Sequence, residues 1–167
     1  MSEIIKEGLE SSSLKKLSRD DFPPKSDSFS VTILVETEIR PSESEDLVLK
    51  SLTTLFPTIN FSLSEETFIG RSTDITDLNY FSTRLLEQEI LDASRRIVLK
   101  SLMKKSSLLD ENNIIKFFLN KQTAIRNKIV FCDQNEAPLG PIKVEIISSD
   151  LLRIIDYYFP KYEWFNE

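Results

Sequence analysis

The side chains best equipped for chemistry cluster between residues 95 and 128. That stretch holds nine basic residues (Arg95, Arg96, Lys100, Lys104, Lys105, Lys116, Lys121, Arg126 and Lys128) against two acids, Asp110 and Glu111. Fixed positive charge at this density suits phosphate, because each neutralised phosphate adds salt-dependent affinity. An A-form duplex is met through its backbone and 2′-hydroxyls, which need basic and polar donors more than base readers. The competing reading is a solvated helix surface. Within the stretch, Asn120-Lys121-Gln122 places three long polar groups between apolar runs. Asn and Gln each offer a donor and an acceptor, and Lys adds three donors. They could hold a ligand or satisfy the backbone of an irregular strand connection. As a ligand contact, Lys121→Ala is expected to lower nucleic-acid affinity with little change in melting.

Other chemistries are excluded by what is missing. The chain of 167 residues has no histidine, which removes a Ser-His-Asp triad, a Cys-His pair and every His-based metal set. Its one cysteine, Cys132, permits no internal disulfide and reads as an inert thiol at the core edge. Three scattered glycines, Gly8, Gly70 and Gly140, argue against a glycine-lined phosphate cradle, and no P-loop or dinucleotide fingerprint occurs. The acidic pairs Glu65-Glu66 and Glu87/Glu89 read as solvated, and Glu87 and Glu89 do not share a helical face. We therefore expect no catalytic residue, no cofactor and no metal. Apolar residues make up 40% and charged residues 29%, the composition of a soluble globular chain. No apolar run approaches the roughly 20 residues of a membrane span, and no secretory signal is expected, so a cytoplasmic protein is the expectation.

The elements that must position the basic groups follow from periodicity. Residues 1–29, with Ser11-Ser12-Ser13 and Pro23-Pro24, read as a mostly flexible extension with at most a marginal helix. A single domain is expected over 30–160, and a short tail over 161–167. Val31, Ile33, Val35 and Ile39 alternate with Thr32, Leu34, Glu36 and Glu38 as a half-buried strand ended by Pro41. Ser42 and Glu45 read as a capping box opening a helix that Pro57 stops. Ile59, Phe61 and Leu63 form a strand, Ser64-Glu65-Glu66 a turn, and Thr67–Arg71 its return. A helical stretch from about Asp74 to Lys105 exceeds the usual globular length, so a break near Gln88 is expected. With Ile97 at zero and about 100° per residue, Leu86, Ile90, Ala93, Ser94 and Ser101 form the core stripe. Arg96 and Lys100 then flank that stripe, and Arg95, at about 160°, points to solvent. Ile114 to Phe131 reads as strand, polar connection, strand, with Phe117, Phe118 and Phe131 in the core. Pro138-Leu139-Gly140-Pro141 is a tight turn. Ile142, Val144 and Ile146 form a further strand, and Ser149 or Asp150 caps a last helix that Pro160 stops. The class is α+β, with helices packed on one face of a largely antiparallel sheet and the order β-α-β-β-α(α)-β-β-β-α. The aromatic tail from Tyr157 to Phe165 reads as a clasp on the core or a dimer contact.

Three strings together are familiar: Glu89-Ile90-Leu91-Asp92-Ala93-Ser94-Arg95, Phe117-Phe118-Leu119-Asn120-Lys121-Gln122-Thr123-Ala124, and Pro138-Leu139-Gly140-Pro141-Ile142. Ile155-Asp156-Tyr157-Tyr158-Phe159-Pro160 fits with them. Over roughly residues 30–160 the chain resembles an archaeal family catalogued as uncharacterised protein family two hundred and one. The resemblance implies an α+β fold like that of the five-S-rRNA-binding ribosomal protein, distantly like double-stranded-RNA-binding domains, and on that basis a predicted RNA-binding role. It supplies no catalytic residue. The family tends to have glycine a few residues after the Asn-Lys-Gln string where this chain has Asn127, a residue that tolerates positive φ.

Together these readings describe a non-catalytic protein that binds structured RNA weakly through Arg95, Arg96, Lys100, Asn120, Lys121, Gln122, Arg126 and Lys128. The rival is a dimeric interaction or scaffold protein of the same fold without RNA affinity. Net charge favours the rival: 21 basic against 27 acidic residues give −6, which repels RNA unless the basic groups are segregated.

Overall fold

The computed structural model describes residues 30–104 and 114–165. The expected extension 1–29 lies outside the described residues, as do 105–113 and the last two residues of the tail. Six strands form one sheet in the order β2-β3-β1-β6-β4-β5, with every pairing antiparallel. The strands are β1 (Val31–Glu38), β2 (Phe61–Ser64), β3 (Thr67–Ser72), β4 (Ile114–Leu119), β5 (Phe131–Cys132) and β6 (Ile142–Ser148). The helices are α1 (Glu45–Leu55), α2 (Asn79–Glu87), α3 (Leu91–Lys104), α4 (Lys121–Ile125) and α5 (Leu151–Tyr158). The class and order match the sequence expectation, which did not contain α4 or the 3-10 turn at Tyr162–Phe165.

Period-two patterning divides the sheet into a buried and an open face. In β1, β4 and β6 the buried residues Ile33, Val35, Ile115, Phe117, Leu119, Ile142, Val144 and Ile146 meet the helices. Phe56, Phe81, Phe117 and Phe159 stack there with ring centroids 5.1–6.4 Å apart, a geometry that adds to simple burial. The alternate residues, among them Leu34, Glu36, Ile69, Arg71, Lys116, Phe118, Lys143, Glu145 and Ile147, form the face the helices leave uncovered. Phe118 therefore belongs to the open face rather than the core: two consecutive strand residues cannot point the same way.

Local signals set the ends of the elements, in one case two residues from the expected place. The N-cap of α1 is Ser44, whose side chain accepts from the Leu47 amide. Ser42 is displaced from that role because Glu43 turns back to accept from the Arg40 amide at 2.8 Å. The β2–β3 hairpin turns through Glu65 and Glu66, both at positive φ (49° and 66°), as a two-residue hairpin turn requires.

The long helical stretch does break at Gln88. The Glu89 amide bonds to the Leu86 carbonyl and the Ile90 amide to that of Leu85. Glu89 sits at φ 60°, completing a Schellman motif. The buried residues of α3 are Leu91, Ser94 and Val98, which on the Ile97 scale lie at about 120°, 60° and 100°. The core stripe is thus turned by about 90° from the one expected for an uninterrupted helix.

Candidate nucleic-acid interface

The rotation of α3 separates neighbouring arginines. Arg96 and Lys100, one turn apart, point away from the core and are exposed. Arg95 lies at the edge of the buried stripe instead of facing solvent. Its Nη2 donates to Asp156 Oδ1 at 2.9 Å and its Nη1 to the Phe159 carbonyl at 3.0 Å. Its side chain is 15% exposed, and it fastens α3 to the end of α5. The aromatic tail ends there as a clasp: Tyr157, Tyr158 and Phe159 are buried, the Tyr158 hydroxyl donates to Asn79 Oδ1, and the Tyr162 amide donates to Asp92.

Asn120, Lys121 and Gln122 have three different fates. Asn120 is the N-cap of α4, its Oδ1 accepting the amides of Gln122 and Thr123 at 2.9 and 3.0 Å. Gln122 is exposed in the first turn. Lys121 is 2% exposed, and its Nζ donates to Glu43 Oε1 (2.9 Å), the Glu38 carbonyl (2.7 Å) and the Leu139 carbonyl (2.9 Å). All three ammonium donors are thereby used inside the fold, in the arrangement a buried charge requires. Glu43, its ionic partner, was not singled out in the sequence. Its only signal is a position between Arg40 and the helix start.

Arg126 and Lys128 are exposed on either side of Asn127. Asn127 stands at φ 60°, as expected for the residue in a glycine position. Arg84 of α2 secures it, donating from Nη2 to the Asn127 carbonyl at 2.6 Å and from Nε to Oδ1 at 3.2 Å. Gln88 bonds both polar groups of the Ile129 backbone, at 2.7 and 3.0 Å. Neither Arg84 nor Gln88 had a motif to reveal this latch, which pairs residues more than 40 positions apart. Gln88 also ends α2, and α3 begins three residues later at Leu91, so α2 links the Arg126/Lys128 loop to the helix carrying Arg96 and Lys100.

The nine basic residues of the segment are therefore not one patch. Lys116 projects on the open sheet face, its Nζ 4.0 Å from Glu145 Oε2. Lys121 is buried and Arg95 is paired. Lys105 and the side chain of Lys104 lie outside the described residues. Arg96, Lys100, Arg126 and Lys128 remain exposed and have no ion-pair partner among the described residues.

Among the described residues, two groups titrate away from their ordinary values. Burial pushes the Cys132 thiol up, with Glu136 and Asp133 adding to the effect, which disfavours the reactive thiolate. The hydrogen bond to Glu36 raises Lys143, the pair standing 2.7 Å apart. Among the described residues no group of three His, Cys, Asp or Glu could hold a metal ion. None of their helices is long and apolar enough to cross a membrane.

A family model described as RNA binding matches residues 32–147. The UPF0201 protein of Sulfurisphaera tokodaii is 38% identical over 134 residues, covering 77% of this chain and 87% of its own. That of Sulfolobus acidocaldarius is 34% identical over 134 residues, with the same coverage of 77% and 87%. Among solved structures, a UPF0201 protein is similar at a TM-score of 0.65 and 35% identity, over 78% of this chain and 94% of that one. The UPF0201 protein of Methanococcus jannaschii is similar at a TM-score of 0.64 and 25% identity, over 77% and 99%.

Proposed function

Since this chain belongs to the UPF0201 family and matches the RNA-binding family model through residues 32–147, we propose that it is a non-catalytic cytoplasmic protein whose domain, residues 30–160, binds structured RNA weakly from its helical side. The contacts are phosphate contacts by Arg96 and Lys100 of α3 and by Arg126 and Lys128 beside α2. The observation that carries the reading is that these four stay exposed without an ion-pair partner among the described residues, whereas Arg95, Lys116 and Lys121 are engaged elsewhere. Four cations on a chain of net charge −6 imply modest affinity and a strong dependence on salt. The test is titration of a labelled RNA hairpin at two salt concentrations. Binding that weakens steeply with salt supports the reading, and no binding at low salt removes it.

A second reading is favoured by the uncovered sheet face. Leu34, Ile69, Ile114, Phe118 and Ile147 share it with ion-paired side chains, a mixture suited to a protein contact, including a second copy of the chain. Light scattering across a dilution series separates the two readings: a dimer indifferent to RNA is the outcome of the second.

A further inference from the structure

The two most specific strings of the sequence meet in space at a place the RNA reading does not use. Lys121, from Leu-Asn-Lys-Gln, bonds the carbonyl of Leu139, from Pro-Leu-Gly-Pro-Ile, at 2.9 Å. The same ammonium holds the Glu38 carbonyl, and the Thr37 hydroxyl holds that of Pro141 at 2.9 Å. These bonds secure the rim of a hollow of about 420 Å³ at one end of the open sheet face, within the volume range of small-ligand sites. Its floor is one rung of the sheet, in which Glu36, Lys143 and Phe118 are successive cross-strand neighbours. Gln134 and Asn135 stand at its wall, and Arg40 and Gly140 at its rim.

The lining restricts the ligand. Both carboxylates are already matched, Glu36 by Lys143 at 2.7 Å and Glu38 by Arg40 at 3.1 Å, so the hollow has no net charge to offer a strong ion. Asp133 and Glu136, the exposed neighbours of Gln134 and Asn135 in the wall loop, add negative charge beside it. A run of phosphates is disfavoured by that field. What remains is a half-buried aromatic ring without a ring partner among the described residues, beside two exposed side-chain amides. A ring to stack upon and amides that both donate and accept are the groups that hold an unpaired nucleobase.

We propose that this hollow binds a single unpaired nucleobase, stacked on Phe118 and hydrogen-bonded along its edge by Gln134 or Asn135. The proposal rests on the RNA-binding reading for its ligand class alone. The base is held through its ring and edge, so affinity depends little on salt, in contrast to phosphate contact on the helical side. Lys121 acts as a positioning residue: it touches the rim and not the ligand.

The experiment titrates adenosine into the isotopically labelled full chain and follows the backbone amides. The expected result is saturable movement of the Phe118, Asn135 and Lys143 signals, with affinity changing by less than about twofold between low and physiological salt, since no phosphate takes part. Phe118→Leu keeps an apolar side chain on the open face and is expected to weaken binding by about fivefold or more. Asn135→Ala, in an exposed loop, gives a second reading that does not depend on packing. The proposal is overturned by silent signals at those amides, by affinity unchanged in both variants, or by preference for a lysine-rich peptide over adenosine. Adenosine binding that persists when Arg96→Ala and Lys100→Ala leave RNA-hairpin affinity unchanged supports the hollow and rejects the helical phosphate site. Loss of adenosine binding with a salt-sensitive hairpin interaction does the opposite.

Discussion

Lys121 Nζ lies 2.9 Å from Glu43 Oε1 with both side chains more than nine-tenths buried, so a lysine in a polar string holds the fold together from within. The pair joins the start of α4 to the approach of α1, and the two carbonyls on the same ammonium add the end of β1 and the turn before β6.

Lys121→Ala is accordingly expected to lower stability first. Removing one member of a buried, hydrogen-bonded pair costs about 3–5 kcal/mol, because the other charge is left uncompensated. Chemical denaturation checks this. The double variant Lys121→Met, Glu43→Gln is expected to lose less than the sum of the two single changes. Unchanged melting of Lys121→Ala, with lowered RNA affinity, restores the ligand role that the sequence alone suggests.

Adjacent arginines of α3 are expected to behave oppositely. Arg96→Ala and Lys100→Ala should each reduce the salt dependence of RNA binding by about one ion, with stability changing by no more than about 0.5 kcal/mol. Arg95→Ala removes the bonds to Asp156 and the Phe159 carbonyl and should lower the melting temperature. Hairpin titrations and thermal scans on the three variants read both effects.

Gly140 holds φ +89°, and a Cβ there would approach Arg40 Nη2 to 3.0 Å. The arginine can swing aside, so the backbone conformation decides the outcome. Gly140→Ala is expected to cost at least about 1 kcal/mol, measurable as a shift in urea midpoint at unchanged slope.

Cys132 is expected to alkylate slowly. Its thiol is raised by burial and by Glu136 and Asp133, so the folded state retains the proton as pH climbs past the ordinary thiol value. Any stability contributed by this difference is present at lower pH and is lost as pH rises through the folded value. Iodoacetamide kinetics against pH should show a midpoint above that of a free thiol, moving downward in Glu136→Gln. A midpoint at or below the free-thiol value contradicts the assignment of causes.

The open Phe118 and the buried Lys121 show why parts of the site were hidden in the sequence. Phe118 sits in an apolar run that reads as core, yet strand alternation allows either it or Phe117 to face the helices, and only the stacking of Phe117 with Phe81 and Phe159 decides which. Lys121 reads as a surface cation because its partners, Glu43 and the carbonyls of Glu38 and Leu139, lie 18 to 83 positions away. Arg95 was misdirected by a phase error: the stripe was centred on Ile97, whereas Leu91, Ser94 and Val98 carry the buried face of α3.

Local rules were enough for the strand alternation of β1 and β6, the hairpin turn at Glu65-Glu66 and the end of α1 before Pro57, because each depends on residues a few positions apart; the left-handed Asn127 was implied by the family resemblance. The family resemblance was legible for the same reason, residing in short strings. Tertiary structure alone decided which of the seven described basic side chains reach solvent and brought the Lys121 and Pro-Leu-Gly-Pro strings together at one hollow. Those outcomes depend on helix phase, on the charge partners that burial demands, and on strand pairings that join distant parts of the chain.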